Sequence, residues 1–189
     1  MNTSVRSWGD CETVFEMGEV INQKGKFDSR RWRRFLCLCY RRVWEHLWEE
    51  GARVAVMAAE RHCDGYLTDE ELLLHHCRMK YLSERNWERV RKLCTDPETG
   101  KWIWPLNDRV DKAWVDYSAA LCGKDVTLSD LTLTTKPDGA LQLSAWANTR
   151  RMVSDPYDRE QVDQMACEII KKEEVVQIEL LRSVFMDID

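Results

Sequence analysis

The sequence predicts a mainly α-helical protein: a single-domain helical bundle of about five to six helices, with one small β-hairpin near residues 131–143. Three observations lead to this fold class. Apolar residues recur with helical spacing over most of the chain. Glycines and N-cap residues separate the periodic stretches. A chain of 189 residues, of which 44% are hydrophobic, is also long enough to bury an ordinary core as one domain.

We expect residues 1–28 to form a loosely docked N-terminal lead-in and residues 29–189 to form the helical domain. The lead-in is poor in apolar residues and contains Gly9, Gly18 and Gly25. No stretch approaches the roughly 18–20 apolar residues of a membrane span, and the opening MNTSVRSWGD lacks the apolar core of a secretory signal. Eight cysteines, dispersed on helical patterns, favour reduced thiols. The sequence therefore predicts a cytoplasmic protein that does not enter a membrane.

The segment 29–48 predicts an amphipathic helix near the centre of the fold, with Ser29 as its N-cap. One wide arc of its helical wheel is apolar and consists of Trp32, Leu36, Cys39, Tyr40, Val43 and Leu47. Gly51 is expected to interrupt this helix. Residues 52–63 then predict a second, alanine-rich helix that packs closely.

Residues 60–71 resemble half of a calcium-binding EF-hand loop. The first and third positions of that loop lack the Asp or Asn oxygens that calcium prefers. A helix stop at Gly65, followed by a T-x-x-E capping box from Thr68 to Glu71, explains the same residues. We therefore favour the stop and the capping box over a calcium site.

The capping box predicts a third helix that ends near Cys94. Its expected apolar face consists of Leu72, Leu73, His76, Tyr81 or Leu82, Trp87, Val90 and Leu93. A fourth helix is expected to begin at Asp108 and to end at Gly123. Its expected apolar face consists of Val110, Ala113, Trp114, Tyr117, Ala120 and Leu121.

Apolar and polar residues alternate in the segment 131–143, on both sides of a Pro-Asp-Gly turn. This pattern is the one strand-like signal in the chain and favours a hairpin. A short helix is expected at 144–152. The last helix is expected to start at Asp155-Pro156 and to reach about Phe185.

A composite zinc site is the metal hypothesis that the sequence allows. Its candidate ligands are His62, Cys63, His75, His76 and Cys77. No C-x-x-C or H-x-x-x-H spacing accompanies them, and neighbouring helical residues such as His75 and His76 diverge by about 100°. Cys37 and Cys39, two positions apart on a helix, diverge by about 200° and cannot share one ion. We therefore expect no metal and no cofactor, and keep the five residues as the alternative.

Enzymatic activity has no motif to support it. The chain contains no nucleophile elbow, P-loop, dinucleotide-binding fingerprint or H-E-x-x-H sequence. Its four histidines have no acid–base motif around them. The sequence therefore favours a non-enzymatic protein, with an enzyme that has a scattered or zinc-dependent site as a further alternative.

The arginine-rich side of helix 29–48 is the candidate partner-binding surface. Its candidate residues are Arg30, Arg31, Arg34, Arg41, Arg42 and Trp48. Arginine beside tryptophan can bind phosphate, an acidic protein face or a partner helix. A solvated face, partly neutralised by Glu45 and Glu49, is the alternative.

Three segments of the sequence carry specific motifs. Residues 33–72 begin with R-x-F-x-C-x-C-x-R-R-V-W and continue into A-x-E-x-x-x-D-G-x-x-T-x-E-E-L. Residues 113–120 carry a Trp and three Ala, and residues 177–185 contain L-L-R-x-V-F. With these motifs the chain resembles an uncharacterised helical family that is greatly expanded in planctomycete bacteria. The resemblance implies an intracellular α-helical fold and, since the family has no established activity, no reaction, cofactor or catalytic residue.

The sequence departs from that family in two places. The segment 131–143 stands where the family has an alanine-rich helix, and the chain ends at MDID where family members continue. The leading hypothesis is a non-enzymatic intracellular interaction or regulatory protein that binds a protein partner, as in a defence, toxin-control or signalling complex. The alternative is a nucleic-acid-binding accessory protein using the same arginine face, which a net charge of -5 makes less expected. The sequence does not indicate an oligomeric state.

Overall fold

The computed structural model describes residues 7–103, 108–128 and 159–188. Within these ranges the chain forms α-helices and two short 3-10 turns, and it contains no strand. The mainly α-helical fold class is therefore confirmed. The hairpin predicted at 131–143 and the short helix predicted at 144–152 lie outside the described residues. No described helix is long and apolar enough to cross a membrane.

Six α-helices form the described part of the chain. They are α1 (Val14–Gln23), α2 (Ser29–Arg42), α3 (Glu50–Cys63), α4 (Asp69–Leu93), α5 (Asp108–Val126) and α6 (Arg159–Val184). The 3-10 turns are Trp8–Asp10 before α1 and Trp44–His46 between α2 and α3. Helix α2 contacts α3, α5 and α6, while α4 packs along α3 and α5, and α1 packs on α6.

Helix α2 begins one residue earlier than an N-cap at Ser29 would require. The carboxylate of Asp28 accepts a hydrogen bond from the backbone N–H of Arg31 at 2.9 Å, so Asp28 is the N-cap and Ser29 the first helical residue. A carboxylate is favoured at this position because it also faces the positive end of the helix dipole. The helix predicted over 29–48 in fact ends at Arg42, and Val43 departs from helical geometry with φ -101° and ψ 19°.

The apolar arc predicted for this helix is confirmed. Trp32, Leu36 and Tyr40 are buried. The other members of the arc are buried as well: Cys39, Val43 and Leu47. Trp32 also contacts Phe35, with ring centroids 5.2 Å apart, and Phe185 of the α6 end at 6.3 Å. Burying a large apolar side chain contributes about 1.5–3 kcal/mol. The arc is therefore the main apolar anchor of the fold.

The connection between α3 and α4 is a helix stop followed by a capping box, as predicted. Gly65 has φ +80°, and its N–H donates to the carbonyl of His62 at 3.1 Å. The N–H of Tyr66 donates to Arg61 at 2.8 Å, which completes a Schellman motif. The Thr68 and Glu71 side chains then each accept from the other's backbone N–H.

Helix α1 lies within the residues predicted as a loosely docked lead-in. It opens with a capping box formed by Thr13 and Glu16. Its Met17 and Ile21 side chains are fully buried, and it packs on α6, whose Leu181 is also fully buried. Part of the lead-in therefore contributes to the core.

Two glycines predicted to end or interrupt helices lie inside them. Gly51 is in the first turn of α3, and Gly123 lies in α5, which continues to Val126. A Cβ atom on Gly123 would stand 2.8 Å from the Cε of Met79 and 3.2 Å from the Cα of Ala52. Gly123 therefore allows the close approach of α3, α4 and α5, since any side chain would meet backbone there.

The apolar face predicted for α4 is only partly buried. Leu72 and Val90 lie in the core, but Leu73, Tyr81 and Trp87 are exposed. The prediction was wrong for Leu73 and Trp87, because α3 and α5 cover only part of the apolar pattern of α4. Of the alternatives Tyr81 and Leu82, it is Leu82 that packs on the core. Part of the apolar surface of this long helix is left facing solvent.

We predict that Gly123→Ala lowers the free energy of unfolding by about 1–3 kcal/mol, because the added methyl group meets Met79 and the Ala52 backbone. Gly51→Ala is the matched control: its nearest neighbour would be Leu82 at 3.4 Å, an ordinary contact. We expect that control to leave stability unchanged or to raise it by up to about 1 kcal/mol. Urea unfolding of both variants measures the difference, and equal effects would contradict the close-approach role of Gly123.

Candidate interaction surface

The arginine side of α2 contacts other parts of the chain through ion pairs. Four of the five candidate arginines pair with carboxylates outside α2: Arg31 with Asp187, Arg34 with Asp64, Arg41 with Glu60, and Arg42 with Glu173. The neutralising groups are therefore not the Glu45 and Glu49 of the sequence-based alternative but acidic residues distant in the sequence. Arg30 is exposed and forms no ion pair with the residues that the structure describes.

Two of these pairs are bidentate and connect helices. Arg41 donates from Nε and Nη2 to the two oxygens of Glu60 on α3, at 2.7 and 2.5 Å. Arg42 donates in the same way to Glu173 on α6, at 3.0 and 3.3 Å. These hydrogen bonds raise the pKa of both guanidinium groups. Since Glu173 is buried and Arg42 is its partner, loss of Arg42 would leave a buried carboxylate without its counter-charge.

Arg31 holds the end of α6 against α2. Its guanidinium donates to the carbonyl of Val184 at 2.6 and 3.1 Å and lies 4.4 Å from the ring centroid of Phe185. It also pairs with Asp187, whose pKa the hydrogen bond from Arg31 lowers. A cation at the C-terminus of a helix is stabilised both by the free carbonyls and by the helix dipole.

Arg33 has a structural role that the sequence-based candidates missed. Its side chain is buried, and Nη1 donates to the carbonyl of Val126 at 2.6 Å and to that of Leu128 at 3.0 Å. Burial lowers the pKa of this guanidinium. On the helical wheel Arg33 lies about 20° from Tyr40, at the edge of the apolar arc. That position was the available signal that this arginine, unlike its neighbours, points into the fold.

Aromatic side chains form a second cluster at the connection between α2 and α3. Trp44 lies between two guanidinium groups: that of Arg41 is 4.0 Å from its ring centroid and that of Arg53 is 5.6 Å away. Arg53 also donates to the backbone carbonyl of Trp44 at 3.3 Å. Trp48 follows, 56% exposed, and its indole N–H donates to the carbonyl of Glu45 at 2.8 Å. We call Arg41, Trp44, Trp48 and Arg53 the α2–α3 corner.

The candidate zinc ligands do not converge. The Nε2 atom of His62 lies 2.7 Å from Asp69 Oδ1, whereas Nδ1 of His76 lies 3.2 Å from the carbonyl of Lys124 on α5. Cys63 is buried, and its thiol donates to the carbonyl of Arg30, while Cys77 is exposed and His75 half-buried. Within 7–103, 108–128 and 159–188, no three His, Cys, Asp or Glu side chains form a group that could hold a metal ion.

We predict that Arg33→Met lowers the free energy of unfolding by about 2–4 kcal/mol, because two buried carbonyls lose a charged donor while the apolar volume is kept. Arg30→Met, on the same helix but exposed, should change stability by no more than about 0.5 kcal/mol. Denaturant unfolding followed by circular dichroism measures both. Similar small effects for the two variants would contradict a capping role for Arg33.

We predict that His76→Gln weakens the loss of stability in mild acid. Burial lowers the pKa of His76 in the folded chain, so folding favours its neutral form. The resulting stabilisation is present above its ordinary pKa of about 6.5 and is lost as the pH falls through the folded value. Unfolding titrations between about pH 7.5 and 5 should show a smaller decline for His76→Gln than for the wild type. His75→Gln is the control, and identical pH profiles for wild type and His76→Gln would contradict the assignment.

Comparisons with known proteins give this chain no relative: no family model matches it, and no curated protein and no solved structure matches it. The resemblance to the planctomycete family therefore stays a prediction that rests on the three quoted motifs. The function has to be argued from the side chains that the fold leaves exposed.

Proposed function

We propose that this chain is a non-enzymatic interaction or regulatory protein that binds a protein partner through the α2–α3 corner. The observation that supports this most directly is Trp48, an indole that is 56% exposed yet fixed by its own hydrogen bond to the Glu45 carbonyl. Tryptophan and arginine are the residues most enriched where binding energy is concentrated. A side chain that is already ordered loses less conformational entropy on binding.

The geometry of the corner indicates the chemistry of the partner surface. Because the indole N–H of Trp48 donates to the Glu45 carbonyl, the 56% of this side chain that is exposed presents mainly apolar surface. Arg41 is neutralised by Glu60, whereas Arg53 forms no ion pair with other described side chains. The expected partner surface is therefore an apolar pocket for Trp48 with a carboxylate at its rim for Arg53.

The nucleic-acid alternative receives less support from the same surface. Phosphate binding depends on unpaired cationic side chains, and four of the five candidate arginines already face a carboxylate. A gel-shift experiment with duplex and single-stranded nucleic acid at about 50 mM salt tests this alternative. Binding there, lost in Arg53→Ala and Arg30→Ala, would replace the protein-partner proposal.

A cytoplasmic location is part of the proposal. It is supported by the eight cysteines, none of which forms a disulfide in the structure and six of which are buried. Buried free thiols placed as small apolar side chains are typical of proteins in a reducing compartment. Acid quenching of cells, followed at once by alkylation of thiols with and without prior chemical reduction, would test whether these cysteines are reduced in the cell.

We predict that Trp48→Ala weakens partner binding roughly 30-fold or more, the loss expected when an anchoring tryptophan is truncated. The partner is first captured from the native host with the full chain and identified, and its Kd is then measured by calorimetry. Val175→Ala on α6 is the matched control, since Val175 is exposed to the same degree, 55%, on another part of the surface. An unchanged Kd for Trp48→Ala would exclude the corner as the interface.

A further inference from the structure

Two cysteines from neighbouring helices line one cavity. Cys37 lies in the middle of α2 and Cys63 is the last residue of α3, and both are buried. Both line a cavity of about 390 Å³ that opens to solvent between the two helices. Burial raises the pKa of Cys37, and negative charge on Cys63 raises it further. The fold therefore brings together two thiols that are distant in the sequence. We call this space the thiol cavity.

The guanidinium of Arg33 supplies positive charge beside the two thiols. Burial lowers the pKa of this group, and negative charge on Cys63 or Cys37 raises it. Its Nη1 atom donates to the carbonyls of α5, but its buried Nε–H has no hydrogen-bond partner among the described residues. Buried N–H groups of this kind are uncommon in proteins. A negative charge on the two sulfur atoms would therefore be balanced by Arg33.

The other charged groups of the thiol cavity already have partners. Arg34 pairs with Asp64, and Glu60 accepts both hydrogen bonds of Arg41. Leu38 completes the lining. Within the described ranges, no third His, Cys, Asp or Glu side chain joins the two thiols to form a larger ligand group. The described part of the cavity therefore offers two sulfur donors without accompanying oxygen or nitrogen donors.

This donor set determines which metal ion fits. Calcium and magnesium require a shell of oxygen ligands, and a structural zinc requires a tetrahedral set of donors. Thiolates favour soft ions such as Cu(I), which has a filled d shell and is satisfied by two thiolates in linear coordination. A Cu(I) bis-thiolate carries one negative charge. The positive charge of Arg33 matches it, so the buried complex would be neutral as a whole.

We infer that Cys37 and Cys63 bind one Cu(I) ion as a bis-thiolate that links α2 to α3. Binding replaces each S–H bond by an S–Cu bond and releases both protons to solvent, and the copper keeps its oxidation state. The resulting anion lies beside the guanidinium of Arg33. The site does not involve Trp48, so it is independent of partner binding at the α2–α3 corner.

The first experiment titrates the reduced full chain with Cu(I) under anaerobic conditions, in competition with bicinchoninate. We expect one Cu(I) per chain, and X-ray absorption should show a two-coordinate copper with sulfur ligands alone. Cys37→Ala and Cys63→Ala should each weaken binding by at least about 100-fold, since even changes outside the ligand set cost about 10–100-fold. Circular dichroism checks that each variant stays helical.

The matched control is Cys39→Ala. Cys39 is as deeply buried as Cys37 on the same helix, but it points to another side and does not line the thiol cavity. It should keep the wild-type affinity, as should Cys77→Ala and Cys167→Ala, which remove the two exposed thiols. Wild-type affinity in Cys37→Ala/Cys63→Ala would overturn the inference, and so would an equal loss in Cys39→Ala.

The second experiment measures how the Cu(I) affinity depends on pH. Burial raises the pKa of both thiols, so both carry their protons near neutral pH before the metal binds. Release of both protons predicts that the affinity falls about 100-fold for each unit by which the pH is lowered. A tenfold change per unit would show that only one thiolate binds and would overturn the bis-thiolate site.

Discussion

The buried guanidinium of Arg33 is the interaction on which the arrangement of the helices depends most. The last turn of a helix has carbonyl groups without intrahelical partners, and in α5 these meet the packed interior beside α2. Arg33 supplies the donors, at 2.6 and 3.0 Å to Val126 and Leu128. The contact fixes α5 against α2. Helix α5 in turn approaches α3 and α4 so closely that Gly123 stands against Met79 and the backbone of Ala52.

The exposed arginines of α2 also connect this helix to its neighbours α3 and α6. Arg41 and Arg42 form bidentate pairs with α3 and α6, and Arg31 holds the end of α6. An exposed pair such as Arg41–Glu60 contributes at most about 1 kcal/mol, whereas Arg42 supplies the counter-charge of a buried carboxylate, Glu173. Reversing these charges would therefore disturb the fold and any binding together. Trp48 is the better residue for separating the two, because its exposed ring is not part of those pairs.

Local features of this fold were predictable from the sequence, and long-range ones were not. The apolar arc of α2 and the capping box at Thr68 follow from spacing within a few residues, which determines helical faces and helix ends directly. The positions of Gly51 and Gly123 inside helices depend on neighbours that sequence spacing does not show. The acidic partners of the arginines are distant in the sequence, so spacing along the chain does not identify them either. On α4 the apolar pattern was visible, but which part of it the fold covers is decided by α3 and α5.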